Sequence, residues 1–150
     1  IIDANLKASV LNKIFSISDK AGLADLLEQK IPFEKAIHNI SPNLSVLPAG
    51  DTKFDPALLL ESDRMSDIIR IAKEKYGLVF VYYSNLMNLR DICILSSYLD
   101  GVVLVVSEGK TRLHALKSLI EPLREKKVNL IGTVLSNRTF PIPKIIYKRV

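Results

Sequence analysis

The chain has 150 residues, of which 48% are hydrophobic and 25% are charged, and its formal net charge is +5. This length and balance predict one globular domain with a substantial core. No apolar run approaches the roughly 20 residues of a membrane span, a single cysteine excludes a disulfide framework, and the two histidines lack the spacing of metal ligands.

The apolar pattern along the chain predicts alternating helices and strands. In the first half of the chain it predicts the end of a strand at Ile1–Ile2, helices over Asn5–Phe15 and Gly22–Gln29, a strand over Asn43–Pro48, a helical turn over Pro56–Leu60 and a helix over Asp63–Lys75 capped by Ser62. In the second half it predicts a strand over Leu78–Tyr83, a helix over Asp91–Tyr98, a strand over Gly101–Val106, a helix from Thr111 through Lys126 and a strand over Val128–Leu135. Pro122 should bend the last helix or end it early. This alternation predicts βαβ units in a three-layer α/β fold.

Two of the predicted strands, Leu78–Tyr83 and Gly101–Val106, are apolar without interruption. Such runs are typical of strands buried on both faces of a parallel sheet, so we expect these two strands to be central and buried up to Val81. Ligands bind at the carboxyl ends of such strands. Chemistry is therefore expected at Tyr82–Asn85, where the sequence offers neither an acid nor a glycine-rich loop.

Several segments occur in an order that resembles a known family: IIDANLKASVLNKIF, GLADLLEQK, NLSVLPAG, YGLVFVYYSN and IGTVLSNRTFPIP. They look like the cytoplasmic domain of the bacterial tyrosine kinases of capsule and exopolysaccharide synthesis, which are MinD/ParA-type P-loop ATPases. The resemblance implies one three-layer P-loop-type domain over 1–150 with a mostly parallel central sheet. It also implies that the first strand and the Walker A loop are absent from this chain and lie upstream, so that the chain is the C-terminal part of a longer domain.

The family's Walker A′ motif, an apolar strand followed by D-x-D-x-R, corresponds here to DANLK at positions 3–7. Asp3 matches the acid that binds Mg²⁺ or accepts the tyrosine proton in the family. The second acid is replaced by Asn5 and the arginine by Lys7. An alternative for Asp3 is an ordinary acid after a strand that caps the following helix.

The family's Walker B motif, a strand ending in D-[ST]-P-P, corresponds to Tyr82–Asn85 when the alignment is fixed on Asp91. Tyr82 thus replaces a carboxylate that orders the metal. An alternative is that Tyr82 and Tyr83 are aromatic residues that fill an abandoned pocket. The asparagine that reads adenine in the family corresponds to Ser136, with Asn137 next to it.

Two basic segments leave alternatives open. Lys110–Arg112 could hold an anion at a helix start or form a plain helix cap with solvated neighbours. The tail Lys144–Val150 could touch an anionic membrane or pack on its own domain.

The resemblance, with its altered motifs, predicts a degenerate tyrosine-kinase-like domain that acts in exopolysaccharide or capsule synthesis by binding or regulation and is inactive as an enzyme in this form. One alternative is the C-terminal part of an active ATP-dependent tyrosine autokinase, and another is a partition-type ATPase. We expect no metal site and no cofactor in this chain, whereas the family uses ATP and Mg²⁺. The expected partners are a membrane polysaccharide-export or co-polymerase protein and further copies of the chain, with no nucleic acid. The expected location is the cytoplasm, with the inner face of the membrane as the alternative position within it.

Overall fold

The computed structural model describes residues 1–18, 21–84 and 88–137. The chain consists of two compact units, Ile1–Tyr98 and Leu99–Val150. The sequence-based prediction of a single domain over 1–150 stays a prediction.

The first unit is built around a mostly parallel sheet. Its elements are β1 (Ile2–Asp3), α1 (Leu11–Ile14), α2 (Leu23–Leu27), α3 (Phe33–Ala36), β2 (His38–Ser41), β3 (Leu44–Val46), α4 (Pro56–Leu60), α5 (Asp63–Lys75), β4 (Val81–Tyr82) and α6 (Leu89–Ser96). On one side, β1 pairs in parallel with β4, with Ile2 opposite Val81 and Asp3 opposite Tyr82. On its other side, Ile2 bridges in parallel to Leu47, directly after β3. Strand β2 runs antiparallel to β3, so this single bridge connects the β2–β3 pair with the β1–β4 pair.

Helix α5 packs on this unit through the apolar face that the sequence predicted. The residues of this face are all buried: Met65, Ile68, Ile69 and Ala72. Their spacing places them on one stripe of a 3.6-residue helix, and full burial of such side chains contributes about 1.5–3 kcal/mol each for the larger ones. Ser62 occupies the N-cap position, but its hydroxyl donates to the Leu59 carbonyl and makes no cap bond.

Helix α2 begins in direct contact with the loop that follows β3. The Leu23 amide donates to the Pro48 carbonyl at 2.7 Å. At Gly22 a Cβ atom would lie 2.3 Å from the Pro48 oxygen and 2.4 Å from the Gly50 nitrogen. Since both of these neighbours are backbone atoms, only glycine permits this approach.

The second unit has two parallel strands and one helix among its described residues, 99–137: β5 (Val102–Ser107), α7 (Leu113–Glu125) and β6 (Leu130–Ser136). Its buried apolar side chains are Leu104 on β5 and Leu119 and Leu123 on α7. The βαβ arrangement agrees with the sequence-based expectation.

Two predictions about helices are wrong. Helix α1 covers only Leu11–Ile14 instead of Asn5–Phe15, because side-chain hydrogen bonds hold the preceding residues in turns. Helix α7 starts at Leu113, and Thr111 does not cap it but accepts a hydrogen bond from the Ser107 amide. Pro122 does not end α7 at once, since the helix continues to Glu125, and a bend at Pro122 stays a prediction.

The prediction that Leu78–Tyr83 and Gly101–Val106 are buried central strands is also wrong. Leu78 and Phe80 are 70% and 59% exposed, and Val103 and Val105 are 48% and 61% exposed, while Val81 is half-buried. In the first unit β4 pairs with β1, and in the second unit β5 pairs with β6. A continuous apolar run therefore does not by itself establish that a strand is buried on both faces.

Candidate functional site

The structure brings Asp3, Asn5 and Tyr82 together at the carboxyl ends of β1 and β4. Asp3 and Tyr82 are the last residues of the two strands and lie opposite each other in the parallel register. The Ala4 amide donates to the Tyr82 carbonyl at 2.9 Å and extends the ladder by one bond. This edge of a parallel sheet is where α/β proteins bind their ligands.

The carboxylate of Asp3 is fully buried and accepts four hydrogen bonds. Its Oδ1 accepts from the Asn5 amide at 3.0 Å. Its Oδ2 accepts from the Ser9 hydroxyl at 3.0 Å and from the Val10 and Leu11 amides at 3.3 and 3.4 Å. Val10 and Leu11 begin α1, so Asp3 satisfies backbone groups that a helix start otherwise leaves unpaired. A carboxylate offers about four acceptor positions, two on each oxygen. Here three donors share Oδ2 and one binds Oδ1, so the carboxylate is held mainly by the residues that lead into α1.

The side chain of Asn5 links the loop after β1 to the segment after β4. Its Nδ2 donates to the Ala8 carbonyl at 2.7 Å and to the Ser84 hydroxyl at 2.8 Å. Asn5 is only 5% exposed. Both amide protons are therefore used inside the protein.

A second hydrogen bond follows directly after β4. The Tyr83 hydroxyl donates to Asp91 Oδ2 at 2.5 Å, and Asp91 is 5% exposed at the start of α6. Burial, together with the hydrogen bond and the charge of Asp91, raises the pKa of Tyr83 well above its usual value of 10. The phenol thus remains a donor at any physiological pH. The other oxygen of Asp91, Oδ1, has no hydrogen-bond partner among the described residues.

Ser136 and Asn137 lie in the second unit, at the carboxyl ends of β5 and β6. The Ser107 and Ser136 hydroxyls are 3.1 Å apart, and the Asn137 Nδ2 lies 3.5 Å from the Ser107 hydroxyl. Asn137 has a φ of 54°, in the left-handed region that asparagine tolerates. These polar groups bind one another across the two strand ends.

Sequence reasoning missed the role of Ser9, Ser84 and the Tyr83–Asp91 pair. In the sequence analysis Asp91 only fixes the alignment of the Walker B motif. Nothing in the sequence indicates that Asp91 contacts Tyr83, eight residues before it. Only the folded loop brings the two side chains together. Asn85 and the tail Lys144–Val150 lie outside the described residues.

Two negative findings apply to residues 1–18, 21–84 and 88–137. No cluster of three or more His, Cys, Asp or Glu side chains there could hold a metal ion. No helix there is both long and apolar enough to cross a membrane.

The fold is that of P-loop-type α/β domains. The structure matches the kinase domain of VpsO with a TM-score of 0.84 at 24% identity, over 92% of this chain and 69% of that chain. It also matches a plasmid partition protein from Borrelia burgdorferi with a TM-score of 0.62 at 16% identity, over 99% of this chain and 71% of that chain. At such identities the likeness establishes the fold, and it confirms the predicted fold class.

Sequence similarity shows which of the proteins with this fold are related to the chain. The tyrosine-protein kinase YwqD of Bacillus subtilis (strain 168) is 30% identical over 139 residues, which are 92% of this chain and 59% of that protein. No protein-family model matches the chain. The chain is a homologue of the bacterial tyrosine-protein kinases, as the resemblance predicted, and it spans about three fifths of the length of YwqD.

Proposed function

We propose that this chain is a tyrosine-kinase-like module of exopolysaccharide or capsule synthesis that acts by binding and regulation and does not transfer phosphate. Its homologues are tyrosine kinases, one of them encoded in a cps region. The observation that carries the proposal is the environment of Asp3, the acid that matches the family's metal-binding or proton-accepting residue.

Mg²⁺ requires oxygen ligands that are free to approach it in octahedral geometry. The donors on Asp3 compete with a cation for its oxygens: three of the four converge on Oδ2, and two of those three are backbone amides of the α1 start. Asn5 directs its NH₂ group to protein acceptors, and Tyr82 presents a phenol where the family has a carboxylate. The residues present therefore do not fit a Mg·ATP site.

The proposed partner is a membrane polysaccharide-export or co-polymerase protein, with self-association of the chain as a further proposal. The net charge of +5 supports this proposal, because positive charge is attracted to an anionic membrane surface. Neither ATP nor Mg²⁺ is needed for binding of this kind.

The test is a phosphotyrosine assay with Mg·ATP on the chain and on Asp3→Asn, which preserves the shape of the side chain. We expect no phosphotyrosine from either protein, because nothing in the chain orients a phosphate for in-line transfer. A Mg²⁺-dependent signal that Asp3→Asn abolishes, in a variant that still melts cooperatively, would contradict the proposal.

A second candidate is the C-terminal part of an active autokinase. The retained Asp3 and the 30% identity to a named kinase over 92% of the chain favour it. The same assay on the complete gene product decides between the two, since phosphotyrosine that depends on Asp3 there would support the autokinase. The likeness to the partition protein shows the fold alone and does not favour a partition ATPase.

A further inference from the structure

We propose that Asn5 and Ser84 form a metal-independent clasp that holds the carboxyl ends of β1 and β4 in one fixed arrangement. This inference rests on the proposed function and deepens it, because it states what holds the altered site in place without a nucleotide or a metal ion. The clasp is defined as the Asn5 side chain with its two acceptors, the Ala8 carbonyl and the Ser84 hydroxyl.

The geometry shows a connection between distant parts of the chain. Asn5 and Ser84 are 79 residues apart in sequence, and their side chains meet at 2.8 Å. The second bond, to the Ala8 carbonyl at 2.7 Å, fixes the amide plane of Asn5. Asn5 is almost fully buried whereas Ser84 is exposed, so the amide end of the clasp is shielded from water and the hydroxyl end reaches the surface.

Charge explains why the clasp needs no metal. Asp3 accepts a hydrogen bond from the backbone amide of Asn5 at 3.0 Å, so the two residues are immediate neighbours. An acid at position 5, as in the family motif, would add a second buried carboxylate beside the first and would need a cation for compensation. The neutral amide removes that need and at the same time supplies the donor that binds Ser84.

The consequence is a nucleotide-independent state. The loop after β1 and the segment after β4 are the parts that a ligand at this sheet edge would organise. Here protein groups already organise both of them. A partner would therefore meet the same surface with or without Mg·ATP, and the module would lack a nucleotide switch.

The test is a double-mutant cycle with Asn5→Ala and Ser84→Ala, read by thermal melting. The chain offers a matched control in the exposed pair Asn39 and Ser45, whose hydroxyl donates to the Asn39 carboxamide at 2.7 Å. At about 2–4 °C of Tm per kcal/mol for a chain of this size, we expect each clasp variant to lower Tm by roughly 2–6 °C. The double clasp variant should fall no further than Asn5→Ala alone, whereas the exposed control pair should show small, additive shifts.

Amide hydrogen exchange of the same proteins adds a readout that a merely structural role would not change. In the unaltered chain, exchange at 4–9 and 82–84 should be the same with and without Mg·ATP. In Asn5→Ala, exchange in both segments should rise together. Additive clasp variants, or protection that Mg·ATP increases in the unaltered chain, would overturn the clasp. Phosphotyrosine formation with an intact clasp would instead overturn the proposed function alone.

Discussion

Replacing Tyr83 by phenylalanine removes one oxygen atom and tests the bond to Asp91. A hydrogen bond to a charged group contributes about 1.5–3 kcal/mol, and a buried acceptor left without its donor adds a desolvation penalty. Asp91 is 5% exposed and its Oδ1 has no partner among the described residues, so the variant leaves neither oxygen with a hydrogen-bond donor in that part of the chain. We expect a loss of about 2 kcal/mol, or roughly 4–8 °C in Tm.

The pH dependence of stability gives an independent check on the same bond. Because the folded state raises the pKa of Tyr83 above its unfolded value of 10, the folded protein keeps this proton at pH values where the unfolded chain has lost it. The stabilisation is therefore complete below pH 10 and declines as the pH rises above 10. Tyr83→Phe should lack this component of the alkaline decline.

The assay is thermal melting followed by circular dichroism between pH 7 and pH 11. Tyr82→Phe is the matched control, since the adjacent phenol has no hydrogen-bond partner among the described residues. If both variants melt within about 1 °C of each other at pH 7, or if Tyr83→Phe keeps the full alkaline decline, the reasoning on Asp91 is wrong.

Two further predictions concern stability and binding. Gly22→Ala should destabilise the first unit by more than about 3 kcal/mol, because its Cβ would meet the backbone at 2.3 Å. The control Gly77→Ala, with open space around it, should change Tm little. Equal melting temperatures of the two variants would contradict the close approach at Gly22. Tyr82→Asp should lower stability by about 1–3 kcal/mol, because it places a charge beside the buried Asp3, and should not create ATP binding. Calorimetric titration that finds micromolar ATP binding to Tyr82→Asp would show that the pocket is intact.

The sequence predicted the elements whose signals are local. Helix α5 has a clear 3.6-residue apolar face, and all four residues of that face are buried. The parallel pairing of β1 with β4 was not predicted, because pairing between distant segments leaves no local signal in the sequence. Strand β2 and helix α3 were not predicted. Each is only four residues long, and over so few residues the apolar pattern of a strand or helix cannot be told from that of a polar turn.

The site was predicted only in part. The motif alignment selected Asp3, Asn5 and Tyr82, and the structure places them at one sheet edge. The alignment could not show that Asp3 accepts hydrogen bonds from Ser9 and the α1 start, since those bonds depend on loop geometry. The continuous apolarity of β5 suggested two-sided burial, but burial depends on what lies beside a strand.

The long separation between the two halves of the site has a consequence for how the protein folds. Ile2 pairs with Val81, and Asn5 meets Ser84 across 79 residues. Closing so long a loop is entropically unfavourable before the contacts that reward it exist, and pairings of this range slow folding. We therefore expect the site edge to form late, after the intervening hairpin and helices. Until β4 pairs with β1, the strand that completes the site has no partner, and an unpaired strand in a nascent chain is open to misassembly.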